Sequence, residues 1–145
     1  MSRLANRWTQ EIQAISGQPI IRAFFDDPTN TVSYLVADPA TKKAAIIDPV
    51  FDYDHNSGEV DTRFVEAMLK PAEEAGYTIE SVLETHAHAD HLSGAPFIKA
   101  KTGAKIGIGE YIKDVQRIFR PIFNATDLKD GRQRLRPPLS GRRAL

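Results

Sequence analysis

Short apolar runs, separated by turn-forming residues, predict five β-strands. Residues 31–37 are rich in β-branched and aromatic side chains, which is typical of a strand. Residues 44–47 are wholly apolar, which predicts a short strand buried on both faces. Asp, Pro and Asn mark turns at 26–30 and 38–43, and residues 51–61 are predicted to form a loop. The predicted strands are 19–25, 31–37, 44–47, 79–83 and 104–108.

Apolar residues at helical spacing predict three helices. The first covers residues 62–75, where Pro71 favours a kink. The second begins at a Ser93 cap and ends near Thr102, and a third helical pattern covers 109–119. Because the strands begin as a meander and then alternate with helices, the sequence predicts a layered α/β domain.

Composition and charge limit the classes of partner. The chain is 41% hydrophobic and 26% charged, as expected of a globular protein. Basic and acidic residues both number 19, so no overall basic excess indicates nucleic acid or an anionic membrane as a partner. Residues 129–145 nevertheless hold six basic residues and one acidic residue, which leaves a net charge of −5 in residues 1–128. This Pro- and Arg-rich segment has no periodicity and is predicted to be a disordered basic tail.

The residue types that are missing exclude further chemistry. With no cysteine in the sequence, disulfides, thiolate metal sites and cysteine nucleophiles are excluded. No apolar run approaches the roughly 20 residues that span a bilayer. The first ten residues also have no apolar core of a signal peptide. We therefore expect a cytoplasmic protein with no membrane partner.

Three of the four histidines fall within six residues, beside an aspartate. If the preceding strand stays extended, His86 and His88 point to the same side and aim at one ion. Asp90 and His91 follow where the chain turns, so the segment offers one or two positions for Zn, Fe or a similar metal. The alternative is a solvated histidine-rich turn, but this spacing directly after a strand favours a metal site. We predict that the metal ligands are His86, His88, Asp90 and His91.

These residues carry a resemblance to a known family. Residues 85–91 resemble the metal-binding signature of the metallo-β-lactamase fold superfamily. Residues 46–50 and 82–95 are similar to its persulfide dioxygenase branch, which includes bacterial β-lactamase hydrolase-like proteins. The related glyoxalase II branch, the hydroxyacylglutathione hydrolases, shares the histidine motif. The resemblance covers about residues 16–128, and it implies the N-terminal half of an αββα sandwich, with 1–15 as an N-terminal arm and 129–145 as the tail.

The resemblance also gives Asp48 a role. Asp48 follows the buried run 44–47 and matches an aspartate that supports the metal loop in this superfamily without being a ligand. A carboxylate at that place accepts the second ring N–H of a ligating imidazole and fixes its tautomer. From the residues alone, Asp48 can equally be a turn residue before Pro49.

The branches imply different chemistry. Persulfide dioxygenases oxidise a glutathione persulfide-type substrate at one Fe(II), for which His86 matches one ligand, while two further ligands have no counterpart here. Hydroxyacylglutathione hydrolases imply zinc, with His86 and His88 on one ion and Asp90 and His91 on another. Asp90 would then also act in catalysis by orienting the water that attacks a thioester. A third interpretation is an inactive metal-binding fragment, since no histidine follows His91. Whether the chain is itself an enzyme stays open.

The implied half of an αββα sandwich also leads us to expect that the chain associates with a partner. A sheet face that the missing half would cover stays exposed, so we expect poor solubility, a homo-oligomer or association through that face. The change to Arg- and Pro-rich sequence after about residue 128 suggests a product truncated by a shifted reading frame, and the alternative is a genuine basic tail. The substrate expected in every enzymatic case is a small thiol, persulfide or thioester.

Overall fold

The computed structural model describes residues 11–12 and 17–125. Most of the predicted arm at 1–15 and the whole predicted tail at 129–145 therefore lie outside the described residues. The elements within them, in chain order, are β1 (Glu11–Ile12), β2 (Ile20–Asp26), β3 (Thr31–Asp38), β4 (Lys43–Ile47), β5 (Val50–Tyr53), β6 (Val60–Asp61), α1 (Arg63–Glu74), β7 (Thr78–Glu84), β8 (Leu92–Ser93), α2 (Ala95–Thr102), β9 (Lys105–Ile108) and α3 (Ile112–Ile122).

The main sheet has six strands in the order β1-β2-β3-β4-β7-β9. Strands β1 to β4 form an antiparallel meander, whereas β4, β7 and β9 run parallel. Parallel neighbours need a crossover connection, and the segments containing α1 and α2 supply one each. The predicted α/β architecture and all five predicted strands are confirmed, with ends that differ by one residue.

One face of the main sheet carries the hydrophobic core. Helices α1 and α2 pack their apolar sides on it, and Met68, Leu69 and Ile98 are almost fully buried there together with Ile46 and Val82 of the sheet. Strand β4 was expected to be buried on both faces, and this is wrong. Its residues alternate between buried and half-buried, because the helices cover only the face that carries Ile46.

A second sheet of three short strands, in the order β6-β5-β8, replaces part of the predicted loop at 51–61. Its strands have two to four residues. Strand β5 pairs with β6 inside the predicted loop, as in Tyr53 with Val60, and with the distant β8, as in Val50 with Ser93. A pattern confined to 51–61 contains no sign of the β8 pairing, because that partner lies about forty residues away.

Two helix predictions also need correction. Gly94, and not Ser93, is the cap of α2, because Ser93 still pairs within β8. Helix α3 begins at Ile112, three residues later than predicted, since residues 109–111 form the preceding turn. In α1, Pro71 lies within the helix, which continues to Glu74.

Large apolar side chains remain exposed on strands of both sheets and around α3. Val32 and Tyr34 lie on the face of β3 opposite the helices and are 39% and 37% exposed. Helix α3 has no buried residue, and Ile118, Phe119 and Ile122 are all exposed. Among the described residues, no helix has the length and apolar character to cross a bilayer.

Candidate metal centre

The histidine segment begins where β7 ends, at one edge of the main sheet. Strand β7 stops at Glu84, and residues 85–91 form a loop that leads into β8. Asp48 follows the parallel neighbour β4, and its N–H donates to the Leu83 carbonyl over 2.9 Å. Because parallel strands end at the same edge, Asp48 lies beside this loop although 37 residues separate it from Thr85.

Asp48 holds the start of the loop. Its backbone has a φ of 48°, a left-handed conformation that Asp tolerates better than most residues. Its carboxylate accepts hydrogen bonds from the Thr85 N–H and the Thr85 hydroxyl, each over 2.7 Å. Burial raises the pKa of Asp48, but the bonds from Thr85 and His88 outweigh burial and leave the pKa below its ordinary value. Asp48 is therefore an ionised acceptor.

His88 is the most enclosed of the candidate ligands on the Asp48 side. Its side chain is 6% exposed, and its Nε2 lies 2.9 Å from Asp48 Oδ1 in hydrogen-bond geometry. An ionised carboxylate accepts a proton and offers none, so Nε2 carries the hydrogen and Nδ1 keeps its lone pair. Nδ1 is buried and has no hydrogen-bond partner among the described residues. A buried lone pair without a donor fits a metal ion.

His91 repeats this arrangement with the nitrogens exchanged. Its side chain is fully buried, and Nδ1 lies 3.2 Å from Asp90 Oδ2 and 3.4 Å from the Thr31 hydroxyl. The Asp90 carboxylate stabilises the tautomer that carries its proton on Nδ1. This leaves Nε2 as a buried acceptor without a partner in the described part of the chain. The pKa of Asp90 is lowered by its own backbone N–H, and His91 and Thr31 add to this effect.

His86 is exposed and is oriented through Thr85. The Thr85 hydroxyl has one proton, which it donates to Asp48. The same oxygen lies 2.8 Å from His86 Nδ1, so it accepts the Nδ1–H and leaves Nε2 of His86 free. The centroids of the His86 and His88 rings are 4.2 Å apart, as are those of His88 and His91.

The donor atoms form two groups that share His88. One contains Asp48, His86 and His88, and the other contains His88, Asp90 and His91. Within each group the possible ligand atoms all lie within 4.8 Å of one another. The structure thus brings the four predicted ligands together, although β7 ends before His86 and the expected extended strand does not continue.

Two neighbours of the site were not predicted. Glu84 places Oε2 3.0 Å from His88 Nε2, and the sequence contained no specific signal for this contact, because a spacing of four residues brings side chains together in a helix and not at the end of a strand. Thr31 reaches Asp90 and His91 from the start of β3, about sixty residues away. No local sequence pattern predicts that contact, because it depends on how the antiparallel strands β1 to β4 pack beside the loop.

The sequence model described as the Metallo-beta-lactamase superfamily matches residues 26–141. The Beta-lactamase hydrolase-like protein of Agrobacterium fabrum is 45% identical over 130 residues, which cover 89% of this chain and 30% of that protein. The mitochondrial persulfide dioxygenase ETHE1 of Mus musculus is 29% identical over 99 residues, or 68% of this chain and 34% of that protein.

A solved structure agrees with these sequence matches. The crystal structure of ETHE1 from Myxococcus xanthus superimposes with a TM-score of 0.50 at 32% identity. The match covers 60% of this chain and 34% of that one. The chain therefore spans about a third of the length of the relatives that it matches.

Proposed function

Because the chain belongs to the metallo-beta-lactamase superfamily, we propose that it contributes metal ligands to a persulfide dioxygenase-like active site. The superfamily comprises metal-dependent hydrolases and oxidases, so the proposed activity requires a bound metal. The single observation that carries it is a pair of buried ring nitrogens, His88 Nδ1 and His91 Nε2, that have no hydrogen-bond partner in the described part of the chain.

The dioxygenase reading is supported by similarity to the two ETHE1 proteins. Bound Fe(II) would supply redox chemistry with O₂ and an open position for a substrate sulfur. The resemblance carries over His86 alone, and the geometry adds His88: the two rings offer Nε2 and Nδ1 to such an ion, while Asp48 keeps the His88 proton on the opposite nitrogen. The proposed substrate is a small persulfide of the glutathione type.

A zinc hydrolase of the hydroxyacylglutathione type is the second candidate. The observation that favours it is the second donor group of His88, Asp90 and His91, which a single iron ion leaves partly unused. Asp90 Oδ1 lies 3.8 Å from His88 Nδ1, and Oδ2 is committed to His91. In this reading Asp90 binds a second ion and orients a water toward a thioester carbonyl.

Metal content and two assays separate these candidates. The full chain is purified without added metal, its metals are measured by mass spectrometry, and it is assayed for O₂ uptake with glutathione persulfide and for thioester hydrolysis. One iron per chain and O₂ uptake that His86→Ala abolishes support the dioxygenase. Two zinc ions with thioesterase activity support the hydrolase.

His55→Ala is the matched control, since His55 is the fourth histidine and lies exposed beside Tyr53, outside both donor groups. It should leave metal content and activity unchanged. A chain that binds metal but has neither activity contradicts both enzymatic proposals and supports the inactive-fragment interpretation. A chain that retains no metal contradicts all three.

A further inference from the structure

Glu84 is a nearly buried carboxylate that the proposed chemistry does not use. Its side chain is 9% exposed at the end of β7. One oxygen, Oε1, accepts a short hydrogen bond from the Ser93 hydroxyl. Ser93 is fixed in turn, because it pairs with Val50 in the second sheet and its Oγ accepts the Ala95 N–H over 3.1 Å. Glu84 is therefore held in place from the far side of the loop.

The other oxygen of Glu84 faces His88. Oε2 lies 3.0 Å from His88 Nε2, but it has no partner in hydrogen-bond geometry within the described residues. The single Nε2 hydrogen goes to Asp48, whose carboxylate also receives two bonds from Thr85. Two carboxylates thus lie at one edge of the imidazole, and only that of Asp48 accepts its hydrogen.

This arrangement costs folding energy, since a buried carboxylate oxygen without a donor loses its hydration. Negative charge on the Nε2 side has a compensating effect once a cation binds at Nδ1. It increases electron density at the ligand nitrogen and offsets the charge of the ion. Glu84 Oε2 is also a second acceptor beside the Nε2 hydrogen. It therefore disfavours the tautomer that carries the proton on Nδ1, in which Nδ1 could not bind a metal.

We propose that Glu84, oriented by Ser93, is a positioning residue that holds His88 for metal binding and strengthens the metal site by its charge. This inference rests on the metal-binding role of His88 in the proposed function, but it requires neither of the proposed activities.

The test measures Zn²⁺ affinity of the full chain by competition with a chromophoric chelator. Glu84→Gln keeps the size of the side chain and an acceptor for Ser93 but removes the charge, and it should weaken Zn²⁺ binding about 10- to 100-fold. Glu80→Gln is the matched control, because Glu80 lies on the same strand, is half exposed and pairs with Lys43. Its Zn²⁺ affinity should stay within about twofold of the parent.

A nitrogen-15 NMR spectrum of the imidazole rings in the metal-free chain gives a readout that a purely structural role would not move. His88 should carry its proton on Nε2 in the parent and in Asp48→Asn, where Glu84 remains as an acceptor beside that nitrogen. In the double variant Asp48→Asn/Glu84→Gln, the nearest carboxylate left is Asp90, 3.8 Å from Nδ1, and the proton should move at least partly to Nδ1.

Unchanged Zn²⁺ affinity in folded Glu84→Gln, or a parent His88 protonated on Nδ1, overturns the inference. If circular dichroism shows that Glu84→Gln does not fold, Ser93→Ala decides instead, and an affinity equal to the parent overturns it. A parent chain that binds no Zn²⁺ overturns it as well. A parent that binds Zn²⁺ but has neither enzymatic activity contradicts the proposed function alone.

Discussion

Replacing Gly94 with Ala should destabilise the fold at the point where the candidate metal loop rejoins the core. A Cβ on Gly94 would lie 2.5 Å from Val65 Cγ2 and 3.3 Å from Pro49 Cβ. Favourable contacts between carbon atoms lie at about 3.5–4.0 Å. Val65 is fully buried in α1, so its methyl group has no free space to enter. The φ of Gly94 is −78°, which suits any residue, so the cost arises from packing and not from the backbone.

Overpacking of this kind costs about 1–3 kcal/mol. For a domain of this size, that corresponds to a decrease in Tm of about 4–12 °C. Urea and thermal unfolding followed by circular dichroism measure both quantities. Gly109→Ala is the control, because a Cβ there would meet nothing within 4 Å and its φ is not positive. It should change the free energy of unfolding by less than about 0.5 kcal/mol.

A double variant tests the stated cause. Val65→Ala removes the methyl group that collides with the new Cβ, at the cost of buried apolar contact. If the collision is the reason, Gly94→Ala/Val65→Ala should lose at least about 1 kcal/mol less than the sum of the two single losses. Strictly additive losses, or a loss in Gly94→Ala no larger than in Gly109→Ala, would refute the reasoning.

Three further predictions follow from single side chains. Asp48→Ala should lower the free energy of unfolding by about 2 kcal/mol or more, because it leaves buried donors unpaired and puts Ala at a positive φ. Asp48→Asn should lower the free energy of unfolding by less, and equal losses in urea unfolding would contradict this. Burial raises the pKa of Asp52, and nearby carboxylates raise it further, so its pKa in the folded state exceeds the ordinary value of 3.8. Stability falls as the pH rises from that ordinary value to the folded-state pKa, because the folded chain then holds a proton that the unfolded chain has lost. Asp52→Asn, which keeps an acceptor for the Phe64 N–H, should therefore gain Tm relative to the parent between about pH 3 and pH 6, and a constant Tm difference would argue against this. Phe119→Asp should shift the chain toward monomer in sedimentation velocity if α3 associates with a second copy, and a distribution that is monomeric at every concentration in the parent would disprove that association.

The elements that were predicted from sequence are those whose pattern is local. The β-branched and aromatic residues along 31–37 and the apolar run 44–47 need no distant partner to be recognised as strands, and both strands are found. The short strands β5, β6 and β8 have few residues each and depend on pairing with one another, and β8 joins β5 from about forty residues away, so residues 51–61 were interpreted as a loop. The same pairing displaced the predicted cap from Ser93 to Gly94.

The candidate site divides in the same way. The four ligand-type side chains were identifiable because they fall within six residues, and their proximity follows from that. The groups that orient them come from elsewhere: Asp48 from the end of β4, Glu84 from the end of β7 and Thr31 from the start of β3. Of these, only Asp48 was found beforehand, through resemblance to a family. The sequence therefore identifies which side chains can donate to a metal, but it does not determine how each ring is oriented.

Orientation decides whether these histidines can bind a metal, and it can be read from the placement of protons. Each imidazole has one nitrogen that faces an acceptor: Nδ1 of His86 faces the Thr85 oxygen, Nε2 of His88 faces Asp48, and Nδ1 of His91 faces Asp90. Each acceptor holds a proton on that nitrogen, so the opposite nitrogen of each ring keeps a lone pair. A solvated histidine-rich turn gives no reason for three rings to share this arrangement, or for two of the free nitrogens to be buried with no partner among residues 17–125. The hydrogen bonds that fix the tautomers come from the protein itself, and this supports the proposal that the loop binds a cation.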